Sequence, residues 1–402
     1  MRLPTAALIT MLAIGGLLPC EATAAPEDDA RRLADYVRSP PVLKRLAVAK
    51  IMTDARLGRL CMGNERLAPI RLTGLDGPYE PFSFPAGAAH PSEGLFRVRF
   101  EVKDCLGPRT YNAVFVARSY APPKMDHGDP GNTLADPIVA VDLKPMLIAQ
   151  AALGVPKGAN CRDVRVVDTA VSEAPRKESL SGGGEFEYWK ETWDVSACGK
   201  GLPLSIAFTR HPARPGTTFE IKAIEDDRKI DAAPVPDREG DARLHSLLSS
   251  GYFNTDAGQK VAWGTVMESA RNNSPVAQYT LALNCYKSRR CGPADALYWG
   301  LRAAYNGSAH AMMLLGAWYS DGVFVERDIT RSVLWLKLAG AAGQSELSGQ
   351  VLKLMAKQGQ IDPTTHKEII PVTTSPFDFF KGTDGETSSG APAGQATGDS
   401  MR

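Results

Sequence analysis

Three tryptophans in the C-terminal half of the chain repeat at a fixed distance. Trp263, Trp299 and Trp335 follow one another at intervals of 36 residues, and they are half of the six tryptophans in the sequence. An alanine four residues later and a glycine eight residues later accompany both Trp299 and Trp335. A period of roughly 20–50 residues is typical of stacked helical hairpins. The spacing therefore predicts helical repeats over residues 241–370, with the tryptophans packed between neighbouring hairpins.

The last of these repeats carries a specific pattern of residues. Its fixed positions are Leu315, Gly316, Tyr319, Gly322, Asp328, Trp335, Ala339 and Gly343. This pattern resembles the Sel1-like repeat, a relative of the tetratricopeptide repeat, and the resemblance covers about residues 241–355. The two earlier repeats depart further from it. The resemblance implies an αα-solenoid with an extended protein-binding surface, and it implies a role in regulating or assembling systems of the bacterial envelope.

The region before the repeats has a different character. Residues 61–240 contain 18 prolines, whereas residues 241–370 contain three. Apolar residues at 96, 98, 100 and 102 alternate with charged ones, which predicts a strand with one buried face, and Gly107-Pro108 supplies a turn to a second strand. We therefore predict an α+β multidomain protein, in which a β-rich N-terminal region precedes an αα-solenoid of Sel1-like repeats.

Two stretches of the β-rich region match each other. Residues 100–105 and residues 193–198 both read aromatic, acid, valine, two residues, cysteine. This match predicts two tandem β-rich units, residues 61–153 and residues 154–225. A chance likeness of two disulfide-bearing hairpins is the alternative.

The remaining segments are assigned from composition. Residues 1–24 have one positive charge, an apolar stretch from Leu3 to Leu18 and a small-x-small end, which predicts a signal peptide. An uncleaved anchor and a lipidated Cys20 stay open. Residues 25–60 are predicted to be helical, residues 226–240 a linker and residues 371–402 a disordered tail. Five basic residues of the helical segment are expected on a solvated face: Lys44, Arg45, Lys50, Arg56 and Arg59.

Six cysteines follow the signal peptide, and an even number in an exported chain indicates disulfides. Fifteen pairings are possible, and locality favours Cys61–Cys105, Cys161–Cys198 and Cys285–Cys291. In the loop-entropy model the first two would each contribute about 4 kcal/mol and the third about 2 kcal/mol. The chain is therefore expected to be periplasmic or secreted, with no membrane span after cleavage.

The sequence contains none of the common catalytic motifs, so we expect no enzyme activity, no cofactor and no metal. The segment Asp126-His127-Gly128-Asp129 could ligate a cation, but a polar surface loop is the more ordinary interpretation. A net charge of +1 gives no basic excess for nucleic acid.

Two function classes stay open. One is an exported protein-binding scaffold or regulator with protein partners in the envelope. The other is an enzyme or glycan-binding module in the β-rich region, with the repeats as an accessory. Convergent polar residues in a deep pocket of that region would favour the second class, and a flat surface would favour the first.

A partner-binding site is predicted in the last two repeats. The family pattern leaves position 318 free, so the repeat itself does not require Trp318 there. Asp321 lies three residues later, and Arg289 and Arg290 lie in the preceding loop. Tryptophan and arginine are frequent hot-spot residues at protein interfaces. Burial of Trp318 beneath a capping helix near residues 345–357 is the alternative.

Overall fold

The structure of this chain is a computed structural model, and it describes residues 26–61, 68–118, 121–154, 163–179, 185–210, 217–224, 230, 234–249, 256–288 and 291–368. The predicted signal peptide with Cys20, most of the predicted linker and the predicted tail lie outside these residues. In the described part, no helix is both long enough and apolar enough to cross a membrane.

The first part of the fold combines two helices with one sheet. The helices are α1 (Pro26–Arg38) and α2 (Pro40–Leu57), as predicted for residues 25–60. The strands form an antiparallel sheet in the order β1-β2-β3-β4, here called the first sheet. Their bounds are β1 (Ile70–Ser83), β2 (Glu93–Asp104), β3 (Gly107–Arg118) and β4 (Lys124–His127). The alternating residues of β2 are buried on one face, and β2 and β3 pair through the predicted turn.

The second part repeats this plan. Helix α3 (Pro137–Gly154) is followed by a second sheet with the antiparallel order β5-β6-β7-β8. Its strands are β5 (Val164–Ser179), β6 (Glu185–Ala197), β7 (Lys200–Arg210) and β8 (Thr217–Ala223). The matched residues Phe100 and Trp193 are both fully buried on the second strand of their sheet. Both sheets thus have four antiparallel strands in sequential order.

Helix α3 packs against the second sheet. Its residues Val139, Leu143 and Leu147 share a core with Trp189 and Trp193. The fully buried Glu191 completes this core, because its carboxylate accepts hydrogen bonds from both indole nitrogens and from the backbone N–H groups of residues 134 and 135, at 2.7–3.2 Å. The helix therefore belongs with the sheet that follows it, although the sequence prediction placed residues 137–153 in the first unit.

The third part is helical. Its helices are α4 (Arg238–Ser249), α5 (Asp256–Arg271), α6 (Pro275–Ser288), α7 (Pro293–Tyr305), α8 (Ala309–Asp321), α9 (Ile329–Ala339) and α10 (Ser345–Lys357), with a π-helical turn between α9 and α10. The periodic tryptophans lie in α5, α7 and α9. Trp299 and Trp335 are buried, and Trp263 is partly buried against the same core.

The predicted αα-solenoid is wrong. The largest core of the helical part includes Ile51, Met52 and Ala55 of α2, more than 180 residues earlier in the chain. The opposite side of α2 packs against the first sheet through Val42, Leu46 and Ala49. The molecule is a mixed α+β structure in which one N-terminal helix completes two cores, so the C-terminal helices do not form a self-contained stack.

A buried arginine fixes this arrangement. Arg302 of α7 is 1% exposed, and its guanidinium donates to the carbonyls of Ala55 and Arg56 at 3.1 and 3.2 Å. It also donates to Asn273 Oδ1 at 2.7 Å and to the Pro234 carbonyl at 3.3 Å. Burial lowers the pKa of Arg302 to about 10. One side chain thus connects the end of α2 to the helical part.

The predicted solvated face of α2 is also wrong. Lys44 is exposed, but Arg45 and Lys50 are buried and Arg56 is 18% exposed. The ammonium of Lys50 pairs with Asp54 at 2.8 Å and with Asp104 at 2.7 Å. Because α2 is covered by a sheet on one side and by helices on the other, Arg45, Lys50 and Arg56 lie against other parts of the protein and pair with their carboxylates.

Candidate functional site

A cavity of about 420 Å³ lies where the three parts of the fold meet. Its walls come from α2, the first sheet, α3 and the end of α7. The lining combines charged, amide and apolar side chains with one phenol: Arg56, Arg97, Asn112, Val114, Asp126, His127, Asp129, Thr133, Pro137, Ala140, Val141, Lys144 and Tyr305. A volume of this size is within the range of small-molecule sites. Polar residues of the N-terminal region therefore converge in a pocket that the end of α7 completes.

The connector between the sheets forms one wall of this cavity. The backbone N–H of Asn132 donates to the Thr169 carbonyl of β5, and the Thr169 hydroxyl donates to the Pro130 carbonyl of the connector, at 2.8 Å each. The backbone N–H of Gly131 donates to the Thr110 carbonyl of β3 at 3.1 Å. Gly131 has a φ of +97°, and a Cβ atom there would lie 2.2 Å from the Thr169 carbonyl oxygen. Glycine permits this close approach, which holds residues 128–136 between the sheets.

Strand β4 places His127 on the cavity wall. The imidazole is 13% exposed, and Nδ1 lies 2.9 Å from Asp126 Oδ1. Burial lowers the pKa of His127 below its ordinary value, although the Asp126 carboxylate opposes this effect. The imidazole is therefore neutral at neutral pH, with its proton on Nδ1, where Asp126 can accept it. The other ring nitrogen, Nε2, is left as an acceptor.

The charge of Asp126 is balanced from the helical part. Arg331 of α9 lies 3.4 Å from Asp126 Oδ2 and donates to the Met125 carbonyl at 3.1 Å. Burial acts to raise the pKa of Asp126, but the hydrogen bond to His127 and the charge of Arg331 lower it below the usual range. Burial likewise opposes the charge of Arg331, and Asp126 and Tyr319 nevertheless raise the pKa of this guanidinium.

Asn112 is the most deeply buried polar residue of the lining, with 1% exposure. Its Nδ2 donates to the carbonyls of Asp129 and Gly131 at 2.7 and 3.0 Å. Because both partners are acceptors, they fix which atom of the amide is nitrogen. Its Oδ1 is buried and has no hydrogen-bond partner. A buried acceptor without a partner is costly, and the residue that carries this acceptor lines the cavity.

Two basic side chains of the lining differ in their pairing. Arg56 pairs with Asp129 at 3.1 Å, while its buried Nε has no hydrogen-bond partner. Lys144 of α3 is exposed, and no carboxylate forms an ion pair with it within the described ranges. The pKa of the phenol of Tyr305 is raised by burial, so this group is neutral.

The outer face of α3 carries several exposed apolar side chains beside the charged Asp142 and Lys144, and it borders the cavity. Four large apolar side chains of this helix are 45–59% exposed: Ile138, Val141, Met146 and Ile148. Val141 also lines the cavity. Exposed apolar side chains grouped on one helix face are unusual for a surface that contacts only water.

The tryptophan of the predicted partner site is buried. Trp318 is 2% exposed and packs between Tyr286 and Phe324, with ring centroids at 6.0 and 4.9 Å. It also contacts Gly300 of α7, where a Cβ atom would lie 2.7 Å from the indole. Asp321 is exposed. Arg289 and Arg290 lie outside the described residues.

Two of the predicted disulfides are present. Cys61 bonds to Cys105 and Cys285 bonds to Cys291, with Cα–Cα distances of 5.9 and 4.9 Å. Cys198 is also disulfide-bonded. Cys161 lies outside the described residues, so the pairing Cys161–Cys198 stays a prediction.

The structure does not gather a metal site at Asp126-His127-Gly128-Asp129. Among the described residues, only Cys61, Asp104 and Cys105 bring three potential ligand atoms together. The two cysteines of this group are bonded to each other. A disulfide leaves no thiolate for a metal.

The sequence analysis missed most residues of the cavity. It singled out residues 126–129 by their composition, but Asn112, Arg56, Lys144 and Tyr305 come from four other elements. Comparison with known proteins adds no guidance: no protein-family model and no curated protein matches this chain, and nothing in these searches identifies Sel1-like repeats.

Proposed function

We propose that this chain is an exported ligand-binding protein whose site is the cavity at Asn112 and His127. This is nearer to the second function class, an enzyme or glycan-binding module in the β-rich region, although the site also includes residues of α2, α3 and α7. The observation that carries it is the buried, unpartnered Oδ1 of Asn112 in a cavity of about 420 Å³. A periplasmic or secreted location is part of the proposal, and the two disulfides are compatible with it.

The test fills the cavity without disturbing its polar groups. Ala140 lines the cavity from the surface of α3, so Ala140→Phe places a ring inside it. Ala242→Phe on the exposed side of α4 is the matched control. Thermal unfolding of the full oxidised chain is measured with a panel of sugars, nucleosides, amino acids and organic acids.

A ligand that binds the folded state raises the unfolding temperature. We expect at least one chemical class to raise it in the wild type and in Ala140→Phe to lose that effect, while Ala242→Phe retains it. Equal shifts in all three proteins, or no shift in the wild type, would refute the proposal.

Partner binding is a second candidate function, and the exposed apolar side chains of α3 favour it. The proposed occupant is a protein segment with apolar side chains, because Ile138 and Val141 are both 59% exposed and Val141 also lines the cavity. A photo-crosslinking residue at Val141 tests it against the same residue at Leu347 of α10, which is 47% exposed. A specific adduct at position 141 alone supports the interface, and equal adducts at both positions contradict it.

A further inference from the structure

The charged side chains around the cavity leave an excess of positive charge. Arg56 is paired with Asp129 and Asp126 with Arg331, and each of these two pairs is neutral as a whole. Arg97 shares the Asp76 carboxylate with Arg99, at 2.7 and 2.9 Å. Lys144 remains on the rim, exposed and without a carboxylate partner in the part of the chain that is described. The cavity therefore presents an unpaired positive charge at its mouth.

The unsatisfied atoms of the cavity are of two kinds. The buried Nε of Arg56 can donate a hydrogen bond and has no partner. The buried Oδ1 of Asn112 can accept one, and so can Nε2 of His127, for which no partner occurs among the described residues. An occupant that satisfies them must carry both an acceptor and a donor.

The remaining wall is apolar. Val114 of β3 and Pro137, Ala140 and Val141 of α3 line the cavity beside these polar groups. A site of this composition favours a molecule with a short aliphatic part, because burial of that part against these side chains is favourable.

We propose that the cavity binds a small carboxylate that also carries a hydroxyl or amino group, such as an aliphatic 2-hydroxy or 2-amino acid. The carboxylate accepts hydrogen bonds from Lys144 Nζ and Arg56 Nε. The hydroxyl or amino group donates to Asn112 Oδ1 or His127 Nε2, and the aliphatic part packs on α3. This assignment rests on the proposed ligand-binding function and adds the chemical class of the ligand.

The experiment varies the ligand and the protein together. Binding to the full oxidised chain is measured by calorimetry with aliphatic 2-hydroxy and 2-amino acids, with the amide of each acid, and with the parent acids that lack the second group. The protein variant is Lys144→Met, which keeps the length of the stem and removes the charge. Lys353→Met on the exposed face of α10 is its control.

We expect binding of a hydroxy or amino acid that is roughly tenfold or more tighter than binding of its parent acid, because the parent acid leaves Asn112 Oδ1 without a partner. Lys144→Met should weaken binding of the acid about 3- to 10-fold, while binding of the amide changes less than about twofold. Lys353→Met should bind every ligand as the wild type does.

Each failure points to a different error. If the amides bind as tightly as the acids, or if Lys144→Met has no effect on the acids, the carboxylate assignment is wrong while the cavity remains a ligand site. If no member of the panel binds to the wild type, this proposal is refuted. A shift by another chemical class that Ala140→Phe abolishes would then still support the proposed function.

Discussion

Replacing Arg302 by methionine tests how the end of α2 is held. The amides of Gly58 and Arg59 both donate to the Asp54 carbonyl, so the Ala55 carbonyl has no partner within its own helix and depends on Arg302. The other acceptors of Arg302 keep partners when the guanidinium is removed. The Arg56 carbonyl still accepts from Arg165, the Pro234 carbonyl from Asn273 Nδ2, and Asn273 Oδ1 from the amides of Gln278 and Asn306.

The expected loss of stability follows from the number of acceptors that are left without a partner. One buried carbonyl is orphaned, which costs about 1–3 kcal/mol, and the methionine stem preserves most of the apolar packing of the arginine. Removal of a buried charge recovers part of its desolvation cost. We therefore expect Arg302→Met to lower the free energy of unfolding by about 2 kcal/mol. Arg302→Lys should be no better, because a lysine ammonium cannot reproduce the guanidinium fork.

The measurement is guanidinium unfolding of the oxidised full chain, followed by tryptophan fluorescence and by circular dichroism. Hydrogen exchange at residues 52–58 shows whether the loss is local to the end of α2. Arg243→Met, at an exposed position of α4, is the matched control. A loss below about 1 kcal/mol for Arg302→Met, or full stability of Arg302→Lys, would show that the bonds of the guanidinium do not fix α2.

Three further substitutions probe buried polar groups. Glu191→Gln should lower the unfolding free energy by about 2–3 kcal/mol, because an amide NH₂ would face N–H groups whose hydrogen bonds the carboxylate now accepts. Denaturant unfolding measures this loss. Lys50→Met should cost about 3–5 kcal/mol at pH 7 by leaving two carboxylates unbalanced. Burial already raises the pKa of Asp54, so protonation should restore part of the stability of Lys50→Met at pH 5, and an unchanged deficit would contradict this. The lowered pKa of His127 means that the unfolded state binds a proton more readily, so the wild type should lose stability as the pH falls below about 6.5. His127→Gln should flatten the change in unfolding temperature between pH 7 and pH 5.

Features with a local cause could be predicted from the sequence. The alternation from Phe96 to Val102 predicted the face of β2 that packs into the core, and the turn at Gly107 predicted its pairing with β3. The periodic tryptophans indicated helices, and the burial of Trp299 and Trp335 agrees with their expected place in a core.

Features that depend on distant partners could not be predicted from the sequence. The basic residues of α2 were predicted to lie on a solvated face, because the sequence does not show that Lys50 pairs with the carboxylate of Asp104, 54 residues later. The helical repeats read as an independent solenoid because no local signal shows that α2 completes their core. The cavity draws Asn112, His127, Lys144 and Tyr305 from separate elements, and only His127 belonged to a segment that the sequence singled out.

The sharing of α2 between two cores has a consequence for the order in which the chain can acquire its structure. The donor to the Ala55 carbonyl is Arg302, which is synthesised 247 residues later. The side of α2 that faces the first sheet can be covered early, but Ile51, Met52 and Ala55 stay uncovered until α6 and α7 have been made. During most of its synthesis, the growing chain therefore exposes the apolar side of α2 that later packs against the helical part. Such long-range closure slows folding, and it makes the N-terminal helix one of the last elements to become fully buried.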